Sequence, residues 1–199
     1  MLPYYFYMRH QVIYVPGLGD SRSYGQPLLL KLWRLFGLRP VYHSVGWADG
    51  EAFEPKLKRL LELIDKLKTD DNKLSLVGVS AGASAVLTAY SLRSDKLAGV
   101  VCISGKIQNG QSIGERLYLR NPAFRQSMAG LPAVLDSLSA SQRDKIMSIH
   151  PLKDLTVPPA DTVIPGAKQK TVPAFGHIQS IFYCLLFSGW SIARFLNNL

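Results

Sequence analysis

The chain has 199 residues, 47% of them hydrophobic, which is enough for a single globular domain with a sizeable core. Its formal net charge of +9 comes without a basic helix, an RNA-binding aromatic motif or a zinc module, so we expect a solvated basic surface and no nucleic-acid binding. The two cysteines, Cys102 and Cys184, lie far apart in apolar runs. They predict buried free thiols rather than a disulfide scaffold, and no spacing of histidines, cysteines and acids indicates a metal site.

The N-terminal stretch MLPYYFYMRHQVIYV is aromatic, but it has no charged segment followed by an aliphatic run and a small-residue cleavage site. We therefore predict that it is not a signal peptide and that the protein is cytoplasmic.

Apolar runs alternate with amphipathic stretches along the chain. A strand is predicted at 11–15, ending at Pro16, and a helix over 26–36, with a proline in its first turn and a glycine at its end. After a second strand at 40–45, residues 51–68 repeat their apolar positions at helical spacing. The later strands are predicted at 73–79, 97–105, 145–149 and 168–173, with one helix after the third strand and another from Ile178 onward.

Strands that alternate with helices predict a parallel sheet covered by helices on both faces. We therefore expect a single α/β domain over residues 1–199, with a mostly parallel sheet of about six strands. The turns that follow residues 15, 79, 149 and 173 would open on the carboxyl edge of the sheet, where such folds place their sites. Residues 106–144 interrupt the alternation with two or three short helical patterns.

One serine lies at the turn between the third predicted strand and the helix after it, in the sequence LVGVSAGAS. Glycines two residues before and after Ser80 would let strand and helix approach closely. Such a short pattern also arises by chance in loops of small residues, where the serine simply caps the helix. The functional alternative is a nucleophile held on a strained turn.

Four segments together resemble the α/β-hydrolase family. They are VPGLGDS (15–21), LVGVSAGAS (76–84), DLTVPP (154–159) and VPAFGH (172–177). With the order of strands and helices they cover most of the chain, and they follow the family's order of serine, then acid, then histidine. The resemblance implies the α/β-hydrolase fold and a serine hydrolase. It also implies a small helical cap or lid insert at residues 106–144, where relatives carry one.

The resemblance implies that Ser80 is the nucleophile, that His177 is the general base and that Asp154 orients the histidine. Asp161, seven residues after Asp154, is the alternative acid. The other histidines fit the base position less well because they lie within or beside predicted strands: His10, His43 and His150.

The same resemblance implies an oxyanion hole made by the backbone N–H groups of Leu18 and Ala81. Gly17 is expected to let the first loop bend close to the substrate, although this chain has Pro16 where many relatives have histidine. Trp47, just after a strand, is a candidate pocket wall. Apolar residues of the insert either line an acyl pocket or, more simply, pack small helices: Leu117, Tyr118, Phe124, Met128, Leu131, Val134 and Leu135.

The expected activity is hydrolysis of a small-molecule carboxylic ester through an acyl-enzyme, and nothing in the sequence implies a metal or organic cofactor. The alternatives are a thioesterase, a lipid esterase or an acyltransferase with the same triad, and a non-catalytic binding protein on the same scaffold. The apolar sequence IFYCLLFSGW (181–190) is too short to span a bilayer, so core packing is favoured over peripheral membrane contact.

Overall fold

The computed structural model describes residues 9–22 and 25–199, so most of the stretch on which the signal-peptide prediction rests lies outside the described residues. Within the described residues, six strands form one parallel sheet in the order β2-β1-β3-β4-β5-β6. The sheet confirms the predicted α/β fold class. The strands are β1 Arg9–Val15, β2 Leu38–Tyr42, β3 Asn72–Val79, β4 Val100–Ile103, β5 Ile146–Lys153 and β6 Lys168–Phe175.

Helices connect the strands and cover both faces of the sheet. The α-helices are α1 Gln26–Leu30, α2 Phe53–Leu67, α3 Gly82–Arg93, α4 Glu115–Arg120, α5 Pro122–Ser137, α6 Ala140–Arg143, α7 His177–Phe187 and α8 Gly189–Asn197. The predicted helix over 26–36 is α1 followed by a 3-10 helix, Lys31–Phe36. None of the described helices has an apolar stretch long enough to cross a lipid bilayer.

The central strands are mostly apolar because both of their faces are buried. Leu74 and Leu76 of β3 face a core shared with α2, α3 and α5, whereas Val77 and Val79 face a second core shared with α1, α7 and α8. Cys102 lies in the first core and Cys184 in the second, and both thiols are free, as predicted. Burial raises the pKa of Cys102 to about 12, so this thiol stays protonated at neutral pH.

The insert between β4 and β5 contains α4, α5 and α6, in agreement with the short helical patterns expected there. Its longest helix, α5, is part of the body of the domain. The Ser127 hydroxyl lies 2.8 Å from that of Ser84 in α3, and Leu131 is completely buried. Most of the apolar side chains of the insert therefore pack helices, and the segment around α4 is its more exposed part.

Two lysines depart from the expectation that the basic residues are solvated. Lys56 is buried, and its ammonium donates to the carbonyls of Val45 and Gly46 and to the Asp49 carboxylate. Lys106 is buried against Asp161. The expectation is wrong for both, because protein acceptors replace the water around each charge: those of Lys56 lie in the loop just before its own helix, and Asp161 reaches Lys106 from a loop distant in sequence.

Close contact between β1, β3 and α3 leads to a stability prediction. A Cβ atom at Gly82 would lie 2.3 Å from the carbonyl oxygen of Val15, whereas Gly130 in α5 faces open space. We expect Gly82→Ala to lower the free energy of unfolding by about 1–3 kcal/mol, because rigid backbone must move. Gly130→Ala should raise it by about 0.5–1 kcal/mol, since alanine loses less entropy in a helix.

Urea unfolding followed by circular dichroism measures both changes. If both alanine variants changed the free energy of unfolding by the same amount, the backbone around Gly82 would have room for a Cβ atom and the prediction would be wrong.

Candidate active site

Ser80 lies at a sharp turn between β3 and α3. Its backbone has a φ of +52°, a left-handed conformation that costs a non-glycine residue about 1–3 kcal/mol. The end of β4 and the loop after it hold this conformation in place: the Ser80 N–H donates to the carbonyl of Ile103 at 3.0 Å, and its carbonyl accepts from the N–H of Lys106 at 3.3 Å. A Cβ atom at Gly78 would lie 2.6 Å from the carbonyl oxygen of Gly82, so both glycines of the pattern are required sterically.

The side chains of Ser80, His177 and Asp154 form a continuous chain of hydrogen bonds. His177 Nε2 lies 2.9 Å from Ser80 Oγ, and His177 Nδ1 lies 2.7 Å from Asp154 Oδ2. The three residues come from the turns that follow β3, β5 and β6, all at the carboxyl edge of the sheet. The structure therefore brings together the three side chains that the sequence predicted as a triad.

Asp154 is held rigidly in the loop after β5. Its second carboxylate oxygen, Oδ1, accepts hydrogen bonds from the backbone N–H groups of Thr156 at 2.8 Å and Val157 at 3.0 Å. Its side chain is completely buried. This arrangement leaves Oδ2 to the histidine and favours the tautomer in which Nδ1 carries the proton and Nε2 faces the serine.

Asp161, the alternative acid, is engaged elsewhere. Its carboxylate pairs with Lys106 and accepts from the Asn109 side chain, and its main-chain carbonyl accepts from the N–H groups of Ile107 and Gln108. Burial by itself raises the pKa of Asp161, but the hydrogen bonds from Lys106 and Asn109 outweigh it and hold the pKa below its usual value. Asp161 thus joins two loops beside the site and does not contact His177.

The other histidines are placed away from Ser80. His10 is buried between Asn197 and Ser75, where burial lowers its pKa. His150 contacts Thr171 on the neighbouring strand. His43 follows β2, and burial lowers its pKa also.

The loop after β1 lies directly against Ser80. A Cβ atom at Gly17 would be 2.9 Å from Ser80 Cβ, so only glycine allows this approach. Leu18 and Ala81 border the same cavity as Ser80, and among the described residues neither of their N–H groups donates to another protein atom. They are therefore available to an oxygen bound beside Ser80.

Asp20, a residue that the sequence analysis did not single out, fixes this loop. One of its carboxylate oxygens accepts from the Ser44 hydroxyl and from the N–H groups of Val45 and Gly46, at 2.6–2.9 Å. These bonds tie the loop after β1 to the loop after β2. Sequence offers no signal for them beyond the position of an aspartate next to a glycine-rich turn.

Solved structures share this architecture. Est1E from Butyrivibrio proteoclasticus has a TM-score of 0.73 and 16% sequence identity, over 94% of this chain and 87% of its own. A Paleococcus ferrophilus monoacylglycerol lipase has a TM-score of 0.64 and 17% identity, over 96% and 95%. The metagenomic carboxyl esterase MGS0156 has a TM-score of 0.66 and 15% identity, over 97% and 76%. The chain has the α/β-hydrolase fold.

At these identities the similarity establishes the fold alone. No protein-family model and no curated protein sequence matches the chain. The placement of Ser80, Asp154 and His177 after three different strands of the α/β-hydrolase fold rests on the geometry of this chain itself.

Within the α/β-hydrolase fold, a cavity of about 370 Å³ opens beside Ser80. One wall is apolar and the other carries the buried Lys106 and the hydroxyl of Ser112, which lie 2.9 Å apart. The lining residues are Leu18, Ser80, Ala81, Lys106, Ser112, Ile113, Gly114, Leu117, Phe124, Leu155, Thr156, Val157 and Pro158. A second groove of about 400 Å³ lies on the His177 side, and Leu155 and Thr156 border both.

Trp47 is placed behind the cavity rather than at its wall. It is completely buried, stacks on Phe53 and meets Phe124 edge-on, and its indole N–H donates to the carbonyl of Pro16 at 3.2 Å. The sequence could not predict this orientation of Trp47, because a tryptophan after a strand can face either toward the site or toward the core.

Among the described residues, no cluster of histidine, cysteine and acidic side chains could hold a metal ion.

The identity of the acid can be tested without a substrate. Because the His177 Nδ1–H group donates a hydrogen bond to the buried carboxylate of Asp154, we expect a far-downfield imidazole N–H signal in the proton NMR spectrum. Asp154→Asn should abolish or strongly shift this signal, whereas Asp161→Asn should leave it in place. Loss of the signal in Asp161→Asn, with Asp154→Asn unaffected, would reassign the acid.

Proposed function

We propose that the protein is a serine hydrolase that cleaves small carboxylic esters through an acyl-enzyme intermediate. The observation that carries this proposal is the hydrogen-bonded chain from Asp154 through His177 to Ser80, ending beside a cavity. The α/β-hydrolase fold is consistent with it, since solved structures with this fold include proteins named as esterases and lipases.

In the acylation step, Ser80 Oγ attacks the ester carbonyl carbon. A serine hydroxyl is a weak nucleophile at neutral pH, so His177 Nε2 removes its proton as the new C–O bond forms. Asp154 stabilises the imidazolium that results and keeps its ring in position. His177 then gives the proton to the leaving alcohol, and the acyl group stays on Ser80.

The N–H groups of Leu18 and Ala81 are proposed to bind the negative oxygen of the tetrahedral intermediate. They border the cavity beside Ser80 and have no protein acceptor among the described residues. Donors that are already oriented stabilise a developing charge without reorganisation, and losing one such donor typically raises the barrier by about 3–4 kcal/mol. Asp20 would support this step by holding the loop that carries Leu18.

Deacylation repeats these steps with water. His177 Nε2 removes a proton from the water molecule that attacks the acyl carbon, and Ser80 leaves as its hydroxyl when the histidine returns that proton. The carboxylic acid product is released and the triad returns to its starting state. We assign the cavity to the acyl group and the groove on the His177 side to the leaving alcohol, because His177 borders the groove.

The size of the cavity sets an expectation about the acyl group. A volume of about 370 Å³ lies at the small end of ligand pockets, so a short or compact acyl group fits better than a long lipid chain. Leu117 of α4 forms part of the cavity wall and is partly exposed. Leu119, two residues later, is exposed and does not border the cavity.

The nucleophile can be tested by covalent labelling. We expect a fluorophosphonate to add once per molecule, on Ser80, as measured by mass spectrometry of the intact and digested protein. Ser80→Ala should lose both the adduct and the hydrolysis of p-nitrophenyl esters, because the attacking oxygen is gone. Ser91→Ala, in the distant half of α3, serves as the matched control and should keep both.

A folded protein that neither reacts with the fluorophosphonate nor turns over any ester would contradict the proposal. It would favour a non-catalytic binding protein on the same scaffold, which binds ligands without turnover.

The acyl pocket can be tested with p-nitrophenyl esters of increasing acyl length. Leu117→Ala removes part of the cavity wall and should move the optimum of kcat/KM toward longer acyl groups. Leu119→Ala makes the same chemical change outside the cavity and should leave the optimum where it is. An identical profile for both variants would place the acyl group elsewhere.

A further inference from the structure

The charge of this protein is distributed very unevenly along the sequence. Residues 21–48 and residues 162–199 contain no aspartate or glutamate, but they contain four and three basic residues, respectively. All 14 acidic residues lie in the rest of the chain, where they nearly balance the other 16 basic residues. Two separate stretches therefore carry most of the net charge of +9.

The helices of these two stretches pack together on one face of the sheet. The indole N–H of Trp33 in the 3-10 helix donates to the carbonyl of Leu185 in α7 at 2.9 Å. Gly189 of α8 lies so close to the Phe36 ring that a Cβ atom on residue 189 would be 2.9 Å from that ring. The helices α1, α7 and α8 and the 3-10 helix Lys31–Phe36 thus form one continuous, acid-free layer, whereas α2, α3 and α5 cover the other face of the sheet.

Large apolar side chains point outward from this layer. The exposed fractions are 65% for Leu28, 79% for Leu35, 70% for Phe187 and 58% for Trp190. On α7, the positions of Ile178, Phe182 and Leu186 follow at helical spacing along its outer side, which carries no charged residue. Single exposed apolar residues are ordinary, but a layer that exposes this many is a candidate interaction surface.

Basic side chains are interspersed among these apolar ones. Lys31 and Arg34 are exposed on the 3-10 helix between Leu28 and Leu35. On α8, the guanidinium of Arg194 lies 5.4 Å from the centre of the Trp190 ring. We name this surface the acid-free face; its members are Leu28, Lys31, Leu32, Arg34, Leu35, Leu186, Phe187, Trp190 and Arg194.

We propose that the acid-free face docks on the surface of an anionic lipid bilayer. Leucine, phenylalanine and tryptophan insert at the boundary between headgroups and acyl chains, while lysine and arginine contact the negative headgroups. Tryptophan and arginine are suited to this boundary because each joins an apolar or aromatic part to a polar end.

The charges favour a bilayer over a second copy of the chain. A twofold dimer through this face would set basic side chains against the same basic side chains, with no acid on either partner to pair with them. Aliphatic side chains such as Leu28, Leu35 and Leu186 have no role against nucleic acid, which is bound by basic and stacking aromatic groups.

Docking on this face would also orient the candidate active site. α7 runs from His177 to Phe187, and the exposed side chains of Phe175, Ile178 and Leu155 surround the groove on the His177 side. For the proposed esterase, this orientation places the leaving-group groove near the lipid surface. This consequence rests on the proposed function, whereas docking itself does not.

Vesicle binding by the full chain tests the proposal without a measurement of activity. We expect the protein to sediment with phosphatidylcholine vesicles that contain one-third phosphatidylserine. Its affinity for vesicles of phosphatidylcholine alone should be lower by about tenfold or more. Lys31→Glu combined with Arg34→Glu should weaken binding to the anionic vesicles about tenfold or more, because two attractive charges become repulsive. Phe187→Ser combined with Trp190→Ser should weaken it by removing the inserted side chains.

The matched control changes net charge equally on the opposite face. Lys58→Glu combined with Lys66→Glu alters two exposed lysines of α2 and should leave vesicle binding nearly unchanged. Urea unfolding establishes that all variants are folded. No binding to anionic vesicles, or an equal loss in the control, overturns the proposal. A dimer that Phe187→Ser with Trp190→Ser converts to a monomer also overturns it, since a second copy then covers the face.

Discussion

The close approach of three backbone segments around Ser80 is the constraint on which the site depends. The end of β1, the turn after β3 and the start of α3 come so near to one another that Gly17, Gly78 and Gly82 admit no Cβ atom. This packing holds Ser80 in its left-handed conformation and presents its hydroxyl at the edge of the sheet. It also brings the backbone of the loop after β1 beside that hydroxyl. The glycine pattern in the sequence thus reflects a steric requirement between the loop after β1 and the turn from β3 to α3, which lie far apart along the chain.

Buried carboxylates hold the loops of this edge in place. Asp20 joins the loops after β1 and β2, Asp154 orders its own loop while it binds His177, and Asp161 joins the loops after β4 and β5 through Lys106. Each carboxylate oxygen that accepts several donors fixes a loop whose backbone would otherwise be free to move. The edge of the sheet can therefore position reacting groups although it is built from loops.

The requirements of folding do not account for the difference in charge between the two faces of the molecule. Both layers of helices bury an apolar side against the sheet, which is all that folding requires. The outer sides of the helices are under no such requirement. The layer of α2, α3 and α5 carries acids paired with bases, such as Asp65 with Arg93 and Lys96. The layer of α1, α7 and α8 carries bases and exposed apolar residues without any acid. A difference of this kind is typical of surfaces that meet different surroundings.

The sequence by itself determined the fold class and the three side chains that meet at the candidate site. Alternating apolar runs and amphipathic stretches predict a parallel sheet between helices, because the period of apolar residues is a local consequence of burial. The three side chains of the candidate site were found by resemblance to the α/β-hydrolase family. The resemblance rests on the chain order of Ser80, Asp154 and His177 and on the glycines around the serine. Their catalytic roles, the oxyanion donors at Leu18 and Ala81, and the lid role of residues 106–144 stay predictions.

Only the tertiary structure decided which way side chains face and which distant groups pair. Trp47 lies behind the cavity, Lys56 and Lys106 are buried, and Asp20 organises the first loop. The sequence 181–190 divides into a buried side with Ile181, Cys184 and Leu185 and an exposed side with Phe187 and Trp190. Apart from the burial of Lys56, whose acceptors lie in the preceding loop, these outcomes depend on contacts between segments separated by many residues, and no local period or motif in a single sequence carries that information.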